Sequence, residues 1–355
     1  MVVQEIIHGF DKIESILSRR KFLLVHGGTY NHLRVKEYLD KLPYAEFTDF
    51  SPNPLYEQVC EGVKIFNQED CDMIVAVGGG SAIDVAKCIK LYCKMDSSIN
   101  YLEQEMVDTG IPLVAVPTTA GTGSESTRHA VIYYEGNKQS VSHPSIVPDY
   151  AVLEPSVLKT LPVYQKKCTM LDALCQAIES WWSVNSTDES KGYSVWAIDA
   201  IKANWEAYIF ENTDDAAAKI MEAANLAGRA INITATTAAH AMSYKITSIY
   251  RFPHGHAVAV CMPEVWEYML EHTDECIDPR GVGYLRNTLT AISEKVDLAY
   301  FKMMFQKLEM AYPESGCRES DLDILAASVN PVRLNNNPVA LSTEALRDMY
   351  GRIVR

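Results

Sequence analysis

Over the first 155 residues the apolar positions fall in short continuous runs: "KFLLVHGG" (21–28), "YAEFTDF" (44–50), "DMIVAVGGG" (72–80), "IPLVAVPTT" (111–119) and "HAVIYY" (129–134). Between several of them lie amphipathic stretches of helical period, such as 54–68 and 81–94. Runs of this length alternating with helical segments predict βαβ units of a parallel sheet, whose strands are buried on both faces. Ligands of such sheets bind at the carboxyl ends of the strands. After "PDYAVLEPSVLKTLP" (148–162), which reads as a Pro-rich connector, strand patterns almost vanish and apolar residues recur with a period near 3.6 to the end of the chain. The expectation is therefore an α/β domain over 1–158 and an all-α domain over 159–355, with the boundary between about 155 and 162. No internal repeat or low-complexity tract interrupts either part.

Composition removes several classes. A chain of 355 residues, 48% hydrophobic and 22% charged, is long enough for two domains with substantial cores and is neither fibrous nor disordered in make-up. Its net charge of −14 argues against a nucleic-acid or anionic-membrane binder, because both need a basic face. An anionic small molecule must then be met by local Lys and Arg. The opening "MVVQEIIHGFDKIESIL" lacks the charged, apolar and cleavage regions of a leader, which points to the cytoplasm. Nine cysteines without a CxxC pair, several in apolar patterns (Cys88, Cys175, Cys261), suit buried reduced thiols rather than disulfides or thiolate metal sites.

Five stretches carry chemistry. In "VAVGGGSAIDVAKCIKLY" (75–92) a strand meets three glycines and then a helix, so that backbone N–H groups and the helix N-terminus can close on a phosphate. A tight turn alone would not need three glycines, and the ordinary GxGxxG fingerprint is absent. "VAVPTTAGTGSESTRHAV" (114–131) follows the next strand with small hydroxyl and glycine residues; it fits either a cofactor loop or an ordinary capped loop with Thr122 or Ser124 as N-cap. In "MLDALCQAIESWW" (170–182) Asp172 and Gln176 stand one turn apart on one helix face, where they can reach a metal ion together or merely neighbouring backbone. "TTAAHAMSYKITSIYRFPHGHAVAVCMP" (236–263) places His240 and Tyr244 one turn apart, and Pro253 breaks that helix before His254. Each of these histidines alone fits a core or surface role better than a ligand role; with Asp172 the balance reverses, since one carboxylate and two imidazoles make a ligand set for a site left partly open. Arg333 is the only charge of the turn-rich "NPVRLNNNPV" (330–339), a solvated loop or an anion clamp.

Together, "SPNP" (51–54), "GGGSAIDVAK" (78–87), "PTTAGTGSE" (117–125), "PDYAVLEP" (148–155), "DALCQAIE" (172–179) and "HAMSYKITSIYRFPHGHA" (240–257) resemble the iron-containing, or group III, alcohol dehydrogenase family over essentially the whole chain. The resemblance implies a dehydroquinate synthase-like fold: an N-terminal dinucleotide-binding domain with a parallel sheet and a helical C-terminal domain, with cofactor and metal in the cleft between them. It implies NADPH or NADH as cofactor and a divalent metal, Fe2+ or Zn2+. Gly78, Gly79, Gly80 and Ser81 match the pyrophosphate loop, and Thr118, Thr119 and Thr122 match the loop beside nicotinamide and ribose. Gly27, Asp84, Ser124 and Lys138 complete the expected cofactor set, Gly27 standing where NAD-preferring relatives often carry an acid that repels the 2′-phosphate. Asp172, His240 and His254 fall on metal-ligand positions, and the fourth, normally histidine, is Gln176. A relay histidine of the family is replaced by Tyr244, with His256 as a further proton-transfer residue.

The resemblance implies NAD(P)H-dependent, metal-assisted reduction of a small aldehyde to a primary alcohol, by a homodimer or higher homo-oligomer. "DALCQAIES", "TTAAHAMSYKIT", "PHGHAVAV" and "NPVRLNNNPV" look like the phosphonoacetaldehyde reductase branch, whose product is 2-hydroxyethylphosphonate. Arg251 and Arg333 are then expected to bind the anionic end of the substrate, with Arg128, Lys138 and Lys245 as further local cations. The alternatives are a dehydrogenase for another small alcohol or semialdehyde and, since "HGxAVA" also echoes dehydroquinate synthases, a lyase of that type.

Overall fold

In a computed structural model, which describes residues 4–355, the chain divides into two compact units, Met1–Leu161 and Pro162–Arg355. The first is built on a six-stranded sheet. In chain order its strands are β1 (Glu5–His8), β2 (Phe22–His26), β3 (Tyr44–Phe47), β4 (Met73–Gly78), β5 (Leu113–Pro117) and β8 (Tyr150–Leu153), and β6 (His129–Tyr134) and β7 (Asn137–Ser142) form a separate pair. The spatial order β1-β8-β5-β4-β2-β3 is parallel throughout. Strands β2, β4 and β5 are buried at every position, as their unbroken apolar runs require. The helices of this unit are α1 (Ile13–Leu17), α2 (Val35–Leu39), α3 (Tyr56–Gln68) and α4 (Gly80–Tyr92).

Two expectations are corrected here. The segment 129–134 is a strand, but it pairs antiparallel with β7 instead of extending the parallel sheet. Glu135 and Gly136 both take positive φ between the two strands, which reverses the chain in a two-residue turn that a parallel crossover could not use. Within the connector 148–162, Tyr150–Leu153 is a strand of the sheet, placed between β5 and β1. Its flanking prolines, Pro148 and Pro155, fall just outside the strand, where the missing N–H interrupts no ladder bond.

The second unit is helical: α5 (Val163–Trp182), α6 (Asp188–Glu206), α7 (Asp214–Thr234), α8 (Ala238–Tyr250), α9 (His254–Glu271), α10 (Val282–Lys295), α11 (Leu298–Lys307), α12 (Arg318–Ser328), α13 (Pro331–Leu334) and α14 (Thr343–Ile353). Helix α5 is its axis, buried from Met170 to Trp182 without interruption. Trp182 and Trp266 meet edge to face beside it, with ring centroids 5.6 Å apart. Pro253 acts as expected: α8 stops at Tyr250, Arg251 turns into the left-handed region, and Pro253 caps α9 so that His254 is its first residue. Among the described residues all nine cysteines are free thiols, and no helix is long and apolar enough to cross a membrane.

Candidate active site

Three helices of the second unit bring their polar residues to one point. Asp172 comes from the middle of α5, His240 from the first turn of α8 and His254 from the start of α9, and one ligating atom of each lies within 4.8 Å of the others. Asp172 Oδ1 is 3.2 Å from His240 Nε2 and 3.9 Å from His254 Nε2. Gly255 makes this approach feasible. A Cβ on that residue would stand 2.0 Å from the carbonyl oxygen of Cys168 and 2.8 Å from Cβ of Asp172, so only glycine lets the first turn of α9 lie against the backbone of α5.

The hydrogen bonds decide which face each imidazole presents. Glu179, fully buried on α5, accepts from His240 Nδ1, from the His240 backbone N–H at 3.2 Å and from Thr237 Oγ1 at 2.8 Å. A carboxylate can only accept, so the proton on His240 is at Nδ1, and the neutral ring turns its Nε2 lone pair toward Asp172. Two lone pairs facing each other at 3.2 Å require a positive species between them, either a second proton or a cation. Without an ion the proton serves: burial pulls His240 down, but Glu179 and Asp172 outweigh it and raise the imidazole to about 9. Burial likewise pushes Asp172 up, yet the hydrogen bond from His240, the two imidazoles and a hydrogen bond with Gln176 hold its carboxyl below the ordinary range. One carboxylate and two imidazoles with these spacings fit a divalent transition metal, whose ligands stand at about 2.0–2.2 Å from the ion.

Beside the cluster, the Tyr244 ring stacks on His254 with centroids 5.8 Å apart and planes 5° from parallel. Arg333 Nη1 donates to the Tyr244 hydroxyl at 3.1 Å. Enclosure raises the Tyr244 phenol, and the Arg333 charge opposes that shift. His256 is held elsewhere. Its Nε2 donates to the carbonyl of Ala311 at 2.8 Å, its Nδ1 accepts from Tyr164 at 2.8 Å, and its ring stacks on Phe252. Both nitrogens are thus engaged away from the cluster. Arg251, in the turn between α8 and α9, is exposed.

In the first unit, β4 runs into the glycines and α4 begins at Gly80, with the chain still extended at Gly79. Thr118 N–H donates to Gly78 O at 3.0 Å, which fixes the threonine loop beside the glycine loop. A Cβ on Gly80 would lie 3.1 Å from Thr122 and one on Gly79 3.5 Å from Thr119, so side chains there would fill the gap between the loops. Glycine keeps the backbone N–H groups and the N-terminus of α4 accessible to an anion. Gly27 follows β2 with nothing within 4 Å of the position a Cβ would take. Ser81 Oγ donates to Pro52 O, in "SPNP". Asp84 and Ser124 are committed to each other: Ser124 Oγ donates to Asp84 Oδ1 at 2.6 Å, and Val131 N–H donates to Asp84 Oδ2 at 2.9 Å. Buried Lys87 completes this network with bonds to Ser124 Oγ, Thr127 Oγ1 and His129 O at 3.0, 3.1 and 2.8 Å. Burial lowers its ammonium to about 8, against the attraction of Asp84 and Glu125. Lys138 stands on β7 and acts on Asp84 through its charge.

Glu179, Thr237, Lys87 and Gly255 also shape these sites, beyond the residues expected from the motifs. A signal existed for Glu179, which follows Asp172 by seven residues, two helical turns, on a helix buried all round. Lys87 gave none, because the three acceptors it meets come from a loop about 40 residues away.

The family model described as iron-containing alcohol dehydrogenase matches residues 5–155, and that of the C-terminal part of the Fe-containing alcohol dehydrogenase family matches 167–354. The chain belongs to this family. Within it, the chain is 31% identical over 310 residues to the NAD-dependent methanol dehydrogenase of Bacillus methanolicus, covering 84% of this chain and 81% of that one. To the phosphonoacetaldehyde reductase of Streptomyces viridochromogenes it is 31% identical over 303 residues, covering 79% and 75%. Among solved structures it is similar to the sulfoacetaldehyde reductase of Bifidobacterium kashiwanohense in complex with NAD+, with a TM-score of 0.85, 25% identity and coverage of 99% and 96%. The α/β and helical units are those of the iron-containing alcohol dehydrogenase fold, and the chain is an enzyme of that type.

Proposed function

We propose that this dehydrogenase reduces a small anionic aldehyde to its primary alcohol with NADPH or NADH, and that phosphonoacetaldehyde, giving 2-hydroxyethylphosphonate, is its substrate. The observation that carries the reading is the pairing of the Asp172–His240–His254 cluster with an Arg333 guanidinium that reaches Tyr244, the residue stacked on His254. A cation so close to a metal-ligand histidine suits an aldehyde whose other end is an anion. Two of the relatives named above are reductases of aldehydes that carry a phosphonate or a sulfonate.

Asp172, His240 and His254 would hold the divalent ion, with Gln176 beside them on α5. When bound, the ion supplies Lewis-acid polarisation of the carbonyl and the reduced nicotinamide supplies hydride. The glycine loop 78–80 with Ser81 binds the dinucleotide's pyrophosphate through backbone N–H groups at the start of α4, and Thr118, Thr119 and Thr122 line the loop beside it. Asp84, Ser124 and Lys87 hold that second loop in place. Open space at Gly27 leaves room for a 2′-phosphate. Tyr244 holds a proton on its hydroxyl, and the bond from Arg333 to that oxygen favours its acting as donor toward the alcohol oxygen. Arg333 binds the anionic end, with Arg251 in reach of solvent as a second cation.

The test is metal analysis of the purified protein, followed by oxidation of NADPH and NADH at 340 nm with phosphonoacetaldehyde, a semialdehyde and a neutral aldehyde. Preference for the phosphonate by kcat/KM supports the proposal, and equal use of the neutral aldehyde refutes the anionic part. Asp172→Ala is expected to remove metal binding and activity together; full activity without bound metal would sink the scheme.

A further inference from the structure

We propose that Glu179 is a positioning residue for the metal site, which fixes the tautomer of His240 and balances the charge of a divalent ion. The proposal rests on the metal site described under the proposed function. Glu179 touches neither substrate nor ion; it acts through His240.

Three observations lead there. Glu179 is completely buried, so an ionised carboxylate at this place must be matched by hydrogen bonds or positive charge. Its oxygens are engaged by the His240 side chain, the His240 backbone and Thr237, and Thr237 in turn accepts from Trp182 Nε1 at 2.9 Å. In this chain Trp182 and Glu179 stand on α5 and Thr237 is the N-cap residue of α8, and the bonds leave the carboxylate little freedom to turn away from the imidazole. The second carboxylate, Asp172, lies on the opposite ring nitrogen and is also buried. Two buried carboxyl groups therefore flank one imidazole, and a divalent ion held between Nε2 and Asp172 would be matched by both.

A histidine that donates its remote N–H to a carboxylate is locked in the ligating tautomer and becomes a stronger base toward the metal; loss of such a partner typically weakens binding 10–100-fold. With one carboxylate and two imidazoles in the cluster, the basicity of each imidazole weighs heavily. Glu179→Gln keeps the shape of the side chain and removes its charge.

The experiment uses the full chain, stripped of metal and titrated with Zn2+ against a chromophoric chelator. Glu179→Gln is expected to bind Zn2+ 10–100-fold more weakly than the wild type while its metal-free near-ultraviolet circular dichroism matches the wild type. An unchanged Kd overturns the proposal. If the variant does not fold, 15N-histidine NMR of the Zn2+-loaded wild type decides: His240 protonated at Nδ1 and metal-bound at Nε2 supports it, and the reverse tautomer overturns it. Should the wild type bind no Zn2+, the metal reading itself fails. Should it bind Zn2+, lose it in Asp172→Ala and keep it in Glu179→Gln, the positioning role alone fails.

Discussion

At the scale of single residues, the proposed chemistry depends most directly on Gln176 and Arg333, which stand beside the Asp172–His240–His254 cluster. Gln176 lies one turn from Asp172 and shares a hydrogen bond with it, so a better donor at 176 would face the same ion. Gln176→His is expected to bind Zn2+ at least tenfold tighter in the chelator titration, because imidazole is the stronger ligand for this class of ion. Arg333 offers a bidentate fork that a lysine cannot imitate. Arg333→Lys should lower kcat for every aldehyde through Tyr244 and, beyond that shared loss, raise KM for phosphonoacetaldehyde about tenfold or more, as expected for a charge-assisted bond worth roughly 1.5–3 kcal/mol. Equal losses on both substrates would assign Arg333 to holding Tyr244 alone. Of these residues, Asp172, His240 and His254 were legible in the sequence through the family's motifs. For Glu179 only the two-turn spacing from Asp172 was visible, because what distinguishes it is the burial of a carboxylate, and that depends on tertiary packing.

Elements show the same division. Long buried strands announced themselves, since β2, β4 and β5 have apolar residues on both faces. Short β1 and β8 did not: "EIIH" and "YAVL" are four residues each, and their strand character comes from the neighbour that each pairs with. The meeting of α5 and α9 was hidden for a related reason. A lone glycine after His254 carries no periodic signal, yet the Cβ it lacks is what admits the carbonyl of Cys168. Gly255→Ala places a methyl against rigid backbone, so α9 must shift and carry His254 away from Asp172. The expected result is a loss of about 1–3 kcal/mol in stability by urea unfolding together with weaker Zn2+ binding. Retention of wild-type metal affinity would show that His254 does not depend on this contact.

For the molecule as a whole, the thiols impose a pH limit. Burial pushes Cys168 up to about 12 and raises Cys88, Cys175 and Cys261 as well, while the same groups in the unfolded chain titrate near 8.5. Above that pH the unfolded state has released protons that the native state keeps, so unfolding becomes easier as pH rises, by about 1.4 kcal/mol per pH unit for each thiol. The urea midpoint under reducing conditions should accordingly be lower at pH 9.5 than at pH 7.5. A midpoint that does not fall would mean that these thiols ionise as readily in the native state as in water.

The placement of β8 has a consequence for how the chain reaches its fold. Glu5 pairs with Tyr150, about 145 residues further on, and among the described residues β8 is the only strand against which β1 is laid. While the ribosome is still upstream of residue 153, β2, β3, β4 and β5 can assemble, but β5 then presents a bare flank of unpaired peptide groups to any passing chain. Completion of the sheet therefore comes late, after most of the unit's helices have formed, and adds β8 and β1, segments far apart in the sequence, along one side of it. Any shortened version of the nucleotide-binding half that stops before Leu153 forfeits two of six strands rather than one, and leaves an edge poised to recruit another copy of itself.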